Sequence, residues 1–288
     1  DDLALRLTLS ERYGYVALES DQMMLENGLA EAALAAATEL QIPHSPILVY
    51  LLNEMTNPAV PEKHSMYSVV AGIDLATLPQ FEFVDSSAAA EQPQLGPKAA
   101  FVNEWLAEDL QLQPGGQLAV KYHVVGDRGE LPEEAGQFQI AGVVRLTAPA
   151  DDRGFAPNVP GVTDADSYAD WREPFPLKRS PITSRDDSYW EDHRTTPKVF
   201  VSLEEAQRLW RSRYGELTSL RLMPAPGESL ESLGARFSKE FLQRLRPETS
   251  ALIVQPVKQQ GLLAAQGTTD FTGLFIGFSF FLILSATI

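Results

Sequence analysis

The chain has 288 residues, carries a net charge of −16 and contains no cysteine. Its charged and apolar fractions are those of a globular protein with a hydrophobic core. The lack of cysteine excludes disulfide bonds, thiolate metal sites and a cysteine nucleophile. Residues 1–100 hold 14 acidic against 4 basic side chains, and no basic stripe follows. Such a surface repels phosphate backbones, so no nucleic-acid partner is expected.

The first part of the chain has a strand–helix–strand rhythm. Tyr13–Ser20 predicts a strand, and Pro46–Met55 and Tyr67–Leu75 predict two more. Between the first two strands the apolar spacing predicts a helix with a mostly small face, made of Leu29, Ala33, Ala36 and Leu40. Small side chains would let this helix lie close to a sheet.

A second strand–helix–strand segment comes much later. Leu217–Met223 predicts a strand, Pro247 would end the helix after it, and Ala251–Val257 predicts the next strand. The apolar face of that helix consists of Leu230, Leu233, Phe237, Phe241 and Leu245. Two βαβ halves separated in sequence predict an α+β fold with a split-βαβ, ferredoxin-like lobe, formed by residues 12–98 and 217–258.

Residues 99–216 predict a β-rich lobe inserted into the first. Phe101–Leu110 is interpreted as a short amphipathic helix, and residues 117–125 and 136–146 as strands. Residues 199–210 predict a closing strand and helix, with Ser202 and Glu205 in capping-box positions. Residues 149–197 show little periodicity, and we expect them to wrap the inserted lobe through aromatic anchors, namely Trp171, Phe175, Tyr189 and Trp190.

Residues 271–288 contain no charge, and as a helix they would extend for about 27 Å. Five Phe and two Gly in this stretch favour the start of a transmembrane helix, although a buried core helix is the alternative. Gly273 and Gly277 have the spacing of a helix-packing motif. We expect further sequence beyond both ends, because no signal peptide opens the chain and the apolar run is short.

The stretch before the apolar run is predicted to be a coupling linker, residues 259–270. It contains Gly261, Gly267 and Asp270, where the glycines are either hinges or punctuation at the start of a helix. Residues 256–270 hold one cation, Lys258. Cytoplasmic flanks collect Lys and Arg, so the body of the chain is expected outside the cytoplasm.

No catalytic signature is present. The four histidines, His44, His64, His123 and His193, match no metalloprotease motif, and no serine-hydrolase elbow, phosphate loop or dinucleotide fingerprint occurs. Carboxylates that alternate in a loop can hold a hard cation such as calcium. The candidate metal ligands are Asp164, Asp166, Asp170, Asp186 and Asp187. Solvated carboxylates, helix caps and pairs with nearby arginines explain the same residues without a metal. His193 is the histidine to test first. No cofactor is expected.

Several stretches together resemble the extracytoplasmic domains of FtsX-like, MacB-type ABC transporter permeases. These are FVNEWLAEDLQLQPGGQLAVKY, FQIAGVV, TTPKVFVSLEEAQRLW and QGTTDFTGLFIGFSFFLILSA. The resemblance covers nearly the whole chain. The segment at 149–197 departs from the best-known members of the family.

The resemblance implies a non-catalytic permease subunit in the bacterial inner membrane, with this domain on the periplasmic side. It also implies a separate cytoplasmic ABC ATPase, a permease dimer, and motion that exports or extracts a substrate or activates an extracytoplasmic partner. Two other functions stay open from the sequence: a membrane-anchored binding or scaffold protein, and a metal-dependent hydrolase built on the acidic loop.

Overall fold

Nine strands and six helices form a mixed α+β structure in the computed structural model, which describes residues 4–84, 93–126, 128–172, 177–245 and 271–286. The strands are β1 (Leu5–Ser10), β2 (Tyr15–Ser20), β3 (His44–Asn57), β4 (Val60–Ile73), β5 (Ala99–Asn103), β6 (Gln117–His123), β7 (Glu133–Val144), β8 (Val199–Ser202) and β9 (Ser219–Leu222). The helices are α1 (Asn27–Glu39), α2 (Glu104–Leu110), α3 (Ser184–His193), α4 (Leu203–Trp210), α5 (Leu230–Arg244) and α6 (Phe271–Ala286). The predicted α+β class is therefore confirmed.

Four antiparallel strands in the order β1-β2-β9-β3 form one part of the sheet. Helices α1 and α5 pack on it, and their apolar faces share one core with the strands. Leu29, Ala33 and Ala36 of α1 are buried there, as their spacing predicts. Phe237 and Phe241 of α5 stack in the same core, with ring centroids 5.7 Å apart.

The other five strands form a closed ring together with β3, because the order β3-β4-β8-β5-β7-β6 ends with β6 pairing back to β3. Alternate side chains fill the inner face of the ring, among them Leu48, Val70, Val102, Val120 and Val201. Strand β3 takes part in both groups: His44–Ile47 pair with β9, and the later residues pair with β4 and β6. A single strand thus runs from the helix-covered part of the sheet into the ring.

Local predictions hold for most elements and fail at three places. Residues 101–103 belong to β5, so the helix expected over Phe101–Leu110 begins only at Glu104, where the Asn103 side chain accepts a bond from the Leu106 N–H. Strand β1 was not predicted. The stretch 149–197 contains the helix α3, although its sequence shows little periodicity.

The expected cap of α4 is half present. The Ser202 hydroxyl accepts from the backbone N–H of Glu205, but the Glu205 carboxylate pairs with Arg208 instead of reaching back. Trp171, Tyr189 and Trp190 are buried, as expected of anchors, and Phe175 lies outside the described residues.

Residues from Arg246 onward form a separate unit, of which the structure describes α6. Among the helices described, none has the length and apolar character needed to cross a membrane. The strand predicted at 251–257 and the linker 259–270 lie outside the described residues. The domain boundaries at 12–98, 99–216, 217–258 and 259–288 stay predictions.

Candidate functional site

Two buried ion pairs fasten residues 149–197, here called the insertion, to the two parts of the sheet. Asp186 of the insertion faces Lys198 beside the ring, and Asp152 faces Arg221 of β9. All four side chains are at most 3% exposed. Buried charges are costly without a partner, so each pair fixes where the insertion lies.

Lys198 immediately precedes β8 and is inaccessible to solvent. Its ammonium lies 4.2 Å from the ring centre of Trp105 and 4.3 Å from that of Tyr189. It donates to the Ser65 hydroxyl over 2.9 Å and lies 3.6 Å from the Asp186 carboxylate. Burial lowers the pKa of Lys198 to about 8, against the opposing effect of Asp186.

Asp186 is more richly bonded than its lysine partner. One carboxylate oxygen accepts from the Ser65 hydroxyl and the Met66 N–H, at 2.9 and 3.0 Å. The other accepts from the N–H and hydroxyl of Thr183, which in turn caps α3. Asp186 thus caps α3 and pairs with Lys198. Capping and ion pairing were the alternative to metal binding for this residue.

Lys198 and Ser65 also have the residue types of a Ser–Lys nucleophile pair. Both are completely buried, and Ser65 donates its proton to Asp186. A substrate carbonyl could not reach the hydroxyl without opening the core. The arrangement therefore acts as an internal connection between the insertion and strands β4 and β8.

The second pair joins Asp152 to Arg221 over 2.8 Å, in a geometry too bent for a hydrogen bond. The Asp152 carboxylate also accepts from the Tyr15 hydroxyl over 2.8 Å and from the Gly154 N–H. The Arg221 guanidinium lies over two aromatic rings, 3.8 Å from the centre of Phe155 and 4.3 Å from that of Tyr15. Burial raises the pKa of Tyr15, which keeps its hydroxyl a donor to Asp152.

The other predicted metal ligands have separate partners. Asp164 accepts from the Gly161 N–H, Asp166 pairs with Arg194 over 3.0 Å, and Asp170 accepts from the Ser167 hydroxyl. Asp187 lies in the first turn of α3. Within the described parts of the chain, no three His, Asp or Glu side chains are placed to hold a metal ion. The metal site stays a prediction without supporting geometry.

The four histidines lie in separate local environments. His44 contacts the carbonyl of Ile42 and His64 that of Pro181, and His123 has a buried Nδ1 without a hydrogen-bond partner. The His193 ring packs against Tyr189 with the two ring planes tilted by 40° and the centroids 4.8 Å apart. Burial lowers the pKa of His193, so the neutral ring is favoured.

Sequence reasoning missed Lys198, Asp152 and Arg221. An arginine inside the apolar strand SLRL is a usable signal, because a central strand accepts a charge only opposite a carboxylate. The T-x-x-D pattern at Thr183–Asp186 could likewise have predicted the start of α3.

Helix α6 exposes large apolar side chains: Phe275, Ile276, Phe278, Leu282, Ile283 and Leu284 are 49–70% exposed. Gly273 and Gly277 lie within this helix, four residues apart, and their role in packing stays a prediction. Gly261, Gly267 and Asp270 of the predicted linker lie outside the described residues.

The described residues define a mixed α+β domain built on one nine-stranded sheet. A domain of a candidate permease protein from Porphyromonas gingivalis is similar to it, with 11% sequence identity and a TM-score of 0.38 over 74% of this chain and 70% of that one. The periplasmic region of MacB from Actinobacillus actinomycetemcomitans is also similar, with 10% identity and a TM-score of 0.34 over 72% of this chain and 71% of that one. No protein-family model and no curated protein matches the sequence. Both similar structures are of the kind that the sequence resembles.

Proposed function

We propose that the chain is the extracytoplasmic domain of an ABC transporter permease subunit, which couples ATPase-driven motion to export or extraction of a substrate or to an extracytoplasmic partner. The observation that carries the proposal is the apolar surface of α6. At about 100° per residue, its six exposed apolar side chains point to every side of the helix. A helix on the surface of a water-soluble protein keeps a polar face, and hydrocarbon is the solvent that suits a helix without one.

The length of α6 fits entry into a bilayer. Its 16 residues rise about 24 Å, most of the ~30 Å thickness of a hydrocarbon core. Ser285 donates its hydroxyl to the carbonyl of Leu282, so this polar group is satisfied within the helix, as lipid requires. On this proposal Phe271 marks the point where the domain meets the membrane, and residues 259–270 are the coupling linker.

The path for motion runs through the two ion pairs. Strand β9 and helix α5 come directly before residues 246–270, and Arg221 of β9 is bound to Asp152 of the insertion. The insertion is in turn bound to the ring through Asp186 and Lys198. Together with the continuous strand β3, these contacts would make a displacement of the α5 side reach the ring as a rigid-body movement.

The finer fold assignment belongs to the same proposal. The order β2-β9-β3 with α1 and α5 packed on the strands supports a split-βαβ lobe, whose remaining strand would be residues 251–257. The ring and the insertion would then be the inserted lobe. The proposed partners are a cytoplasmic ABC ATPase, a second permease subunit and the lipid bilayer. The domain itself would not be catalytic.

Cysteine labelling tests the topology directly, because the chain has no native cysteine. We would place single cysteines in the full-length protein, expressed in its own cells, at Tyr214 (50% exposed) and at Phe278 of α6. A membrane-impermeant maleimide is expected to label Y214C in intact cells and F278C only after detergent is added. Labelling of Y214C only after lysis would put the domain on the cytoplasmic side, and equal labelling of both cysteines would remove α6 from the lipid.

A pull-down separates the permease from a membrane-anchored scaffold. We expect an ABC ATPase to co-purify with the full-length protein in lipid nanodiscs and its ATP turnover to depend on that protein. Correct topology without an associated ATPase would favour the scaffold function. Addition of Ca²⁺ or Zn²⁺ in a thermal-shift assay tests the metal-dependent hydrolase. A rise in melting temperature with either ion would support that function.

A further inference from the structure

An apolar cavity of about 90 Å³ lies between strands β3 and β4 and the insertion. Val49 and Val69 belong to its strand side, and Val159 and Trp171 belong to its insertion side. Its walls are almost entirely apolar, so water inside would lack hydrogen-bond partners. A dry cavity of ~150 Å³ accommodates benzene, so this smaller one accommodates an apolar group of about four carbon atoms, such as an isobutyl group.

The backbone around the cavity is strained. Seven non-glycine residues in the described part of the chain have a positive φ, a conformation that L side chains rarely adopt. Three of them line this cavity: Met23 at 69°, Tyr67 at 37° and Arg194 at 53°. Residues held in such conformations cluster at ligand sites, where the surrounding fold has to stabilise them. This clustering favours a binding site over a simple gap in packing.

The charge at the cavity is positive. Among the described residues that line it, Arg194 is the one charged residue. Its guanidinium donates to the backbone carbonyl of Ala165 and, over 3.0 Å, to the Asp166 carboxylate. The Asp166 side chain is 90% exposed, so the guanidinium lies where the cavity meets solvent, and its pair with Asp166 is weak. A guanidinium has five N–H groups, so donors remain for the carboxylate of a ligand.

We infer that this cavity is a binding site for a small branched carboxylate, whose apolar group fills the cavity while its carboxylate stays at the mouth and pairs with Arg194. An ammonium group in the same place would face the guanidinium and be repelled. The net charge of −16 opposes the approach of any anion, but at about 0.15 M salt this repulsion is screened beyond ~8 Å and the contact with Arg194 decides. Occupancy of the site needs neither the ATPase nor a particular position of α6. Its test is thus independent of the proposed transport function.

Four probes separate the two parts of the ligand. Isovalerate, isoamyl alcohol and isoamylamine share the isobutyl group and differ in the polar end, and acetate has the carboxylate alone. Binding is followed by tryptophan fluorescence of the full-length protein in lipid nanodiscs, with empty nanodiscs as the blank, because Trp171 and Trp190 line the cavity. Isovalerate is expected to bind about fivefold more tightly than the alcohol and at least about tenfold more tightly than the amine or acetate. Isovalerate that binds no more tightly than any one of the other three would overturn the proposal.

Two variants locate the site. Val159→Phe fills the cavity and is expected to weaken isovalerate binding at least about tenfold, while Val125→Phe, at an exposed position that does not line the cavity, leaves it unchanged. Arg194→Met keeps the cavity open and is expected to lower the affinity for isovalerate to that for isoamyl alcohol. Arg211→Met is its matched control, because Arg211 forms an exposed pair with Glu216 and does not line the cavity. Unchanged isovalerate binding in either cavity variant, provided that its thermal unfolding matches wild type, would overturn the site, as would no saturable response to isovalerate at millimolar concentration.

Discussion

The Asp186–Lys198 pair should respond unequally to removal of its two members. Asp186→Asn leaves the Lys198 ammonium fully buried, with the Ser65 hydroxyl as its hydrogen-bond acceptor. Stranding a buried charge costs about 3–5 kcal/mol in the free energy of unfolding. Lys198→Met leaves Asp186 with four donors from Ser65, Met66 and Thr183, and the methionine stem still packs on Trp105. This loss should be smaller, about 1–2 kcal/mol.

The pH dependence of the unfolding free energy provides a second test of the same ion pair. The folded-state pKa of Lys198 is lowered to about 8, so the folded protein binds fewer protons than the unfolded chain between pH 8 and the ordinary lysine pKa of about 10.4. Stability should therefore rise with pH across this interval, by up to about 3 kcal/mol. Above about pH 10 the trend reverses, because burial raises the pKa of Tyr189 and Tyr168 and the unfolded chain loses those protons first.

Urea unfolding followed by tryptophan fluorescence at pH 7 and pH 9.5 measures both effects. Lys198→Met should abolish the rise between the two pH values, and the deficit of Asp186→Asn should shrink at pH 9.5, where Lys198 is neutral. Lys121→Met is the matched control, because Lys121 forms an exposed pair with Glu54 and should change stability by less than about 1 kcal/mol. The reasoning is refuted if Lys198→Met costs as much as Asp186→Asn, or if the rise persists without Lys198.

Further substitutions test the frame and the coupling path. Gly72→Ala places a β-carbon against helix α4 and should lower the free energy of unfolding by about 1–3 kcal/mol. Gly234→Ala in α5 should raise it by about 0.5–1 kcal/mol, because the added β-carbon meets only Val16, at an ordinary contact distance of 4.0 Å. Equal effects of the two substitutions in urea unfolding would contradict the close packing of β4 on α4. Arg221→Met leaves the Asp152 carboxylate buried without its cation, which should lower the free energy of unfolding by about 3 kcal/mol in the same assay. A loss below about 1 kcal/mol would show that the ion pair does not hold the insertion in place. Prolines at Leu263 and Ala264 should uncouple ATP turnover from transport in the full-length protein while thermal unfolding of the domain stays unchanged; undiminished transport would count against the linker.

The local sequence pattern was sufficient to predict the elements that have one buried face and one polar face. The alternation around β7 and the helical spacing of α1 and α5 are set by residues a few positions apart, so the sequence predicts them without knowledge of the fold. The start of α5 and the capping serine of α4 belong to the same category. The apolar, uncharged character of α6 is likewise a property of the sequence alone.

Tertiary structure decided which strands pair and where the buried charges go. The parallel pairing of β4 with β8 joins residues about 130 positions apart, and the closure of the ring through β3 and β6 has no local signal. Asp186 looked like a loop carboxylate until the fold placed it beside Lys198, 12 positions later, and Asp152 meets Arg221 across 69 positions. A charge is stabilised by whatever partner the folded chain brings within a few ångströms, and sequence distance does not enter that energy.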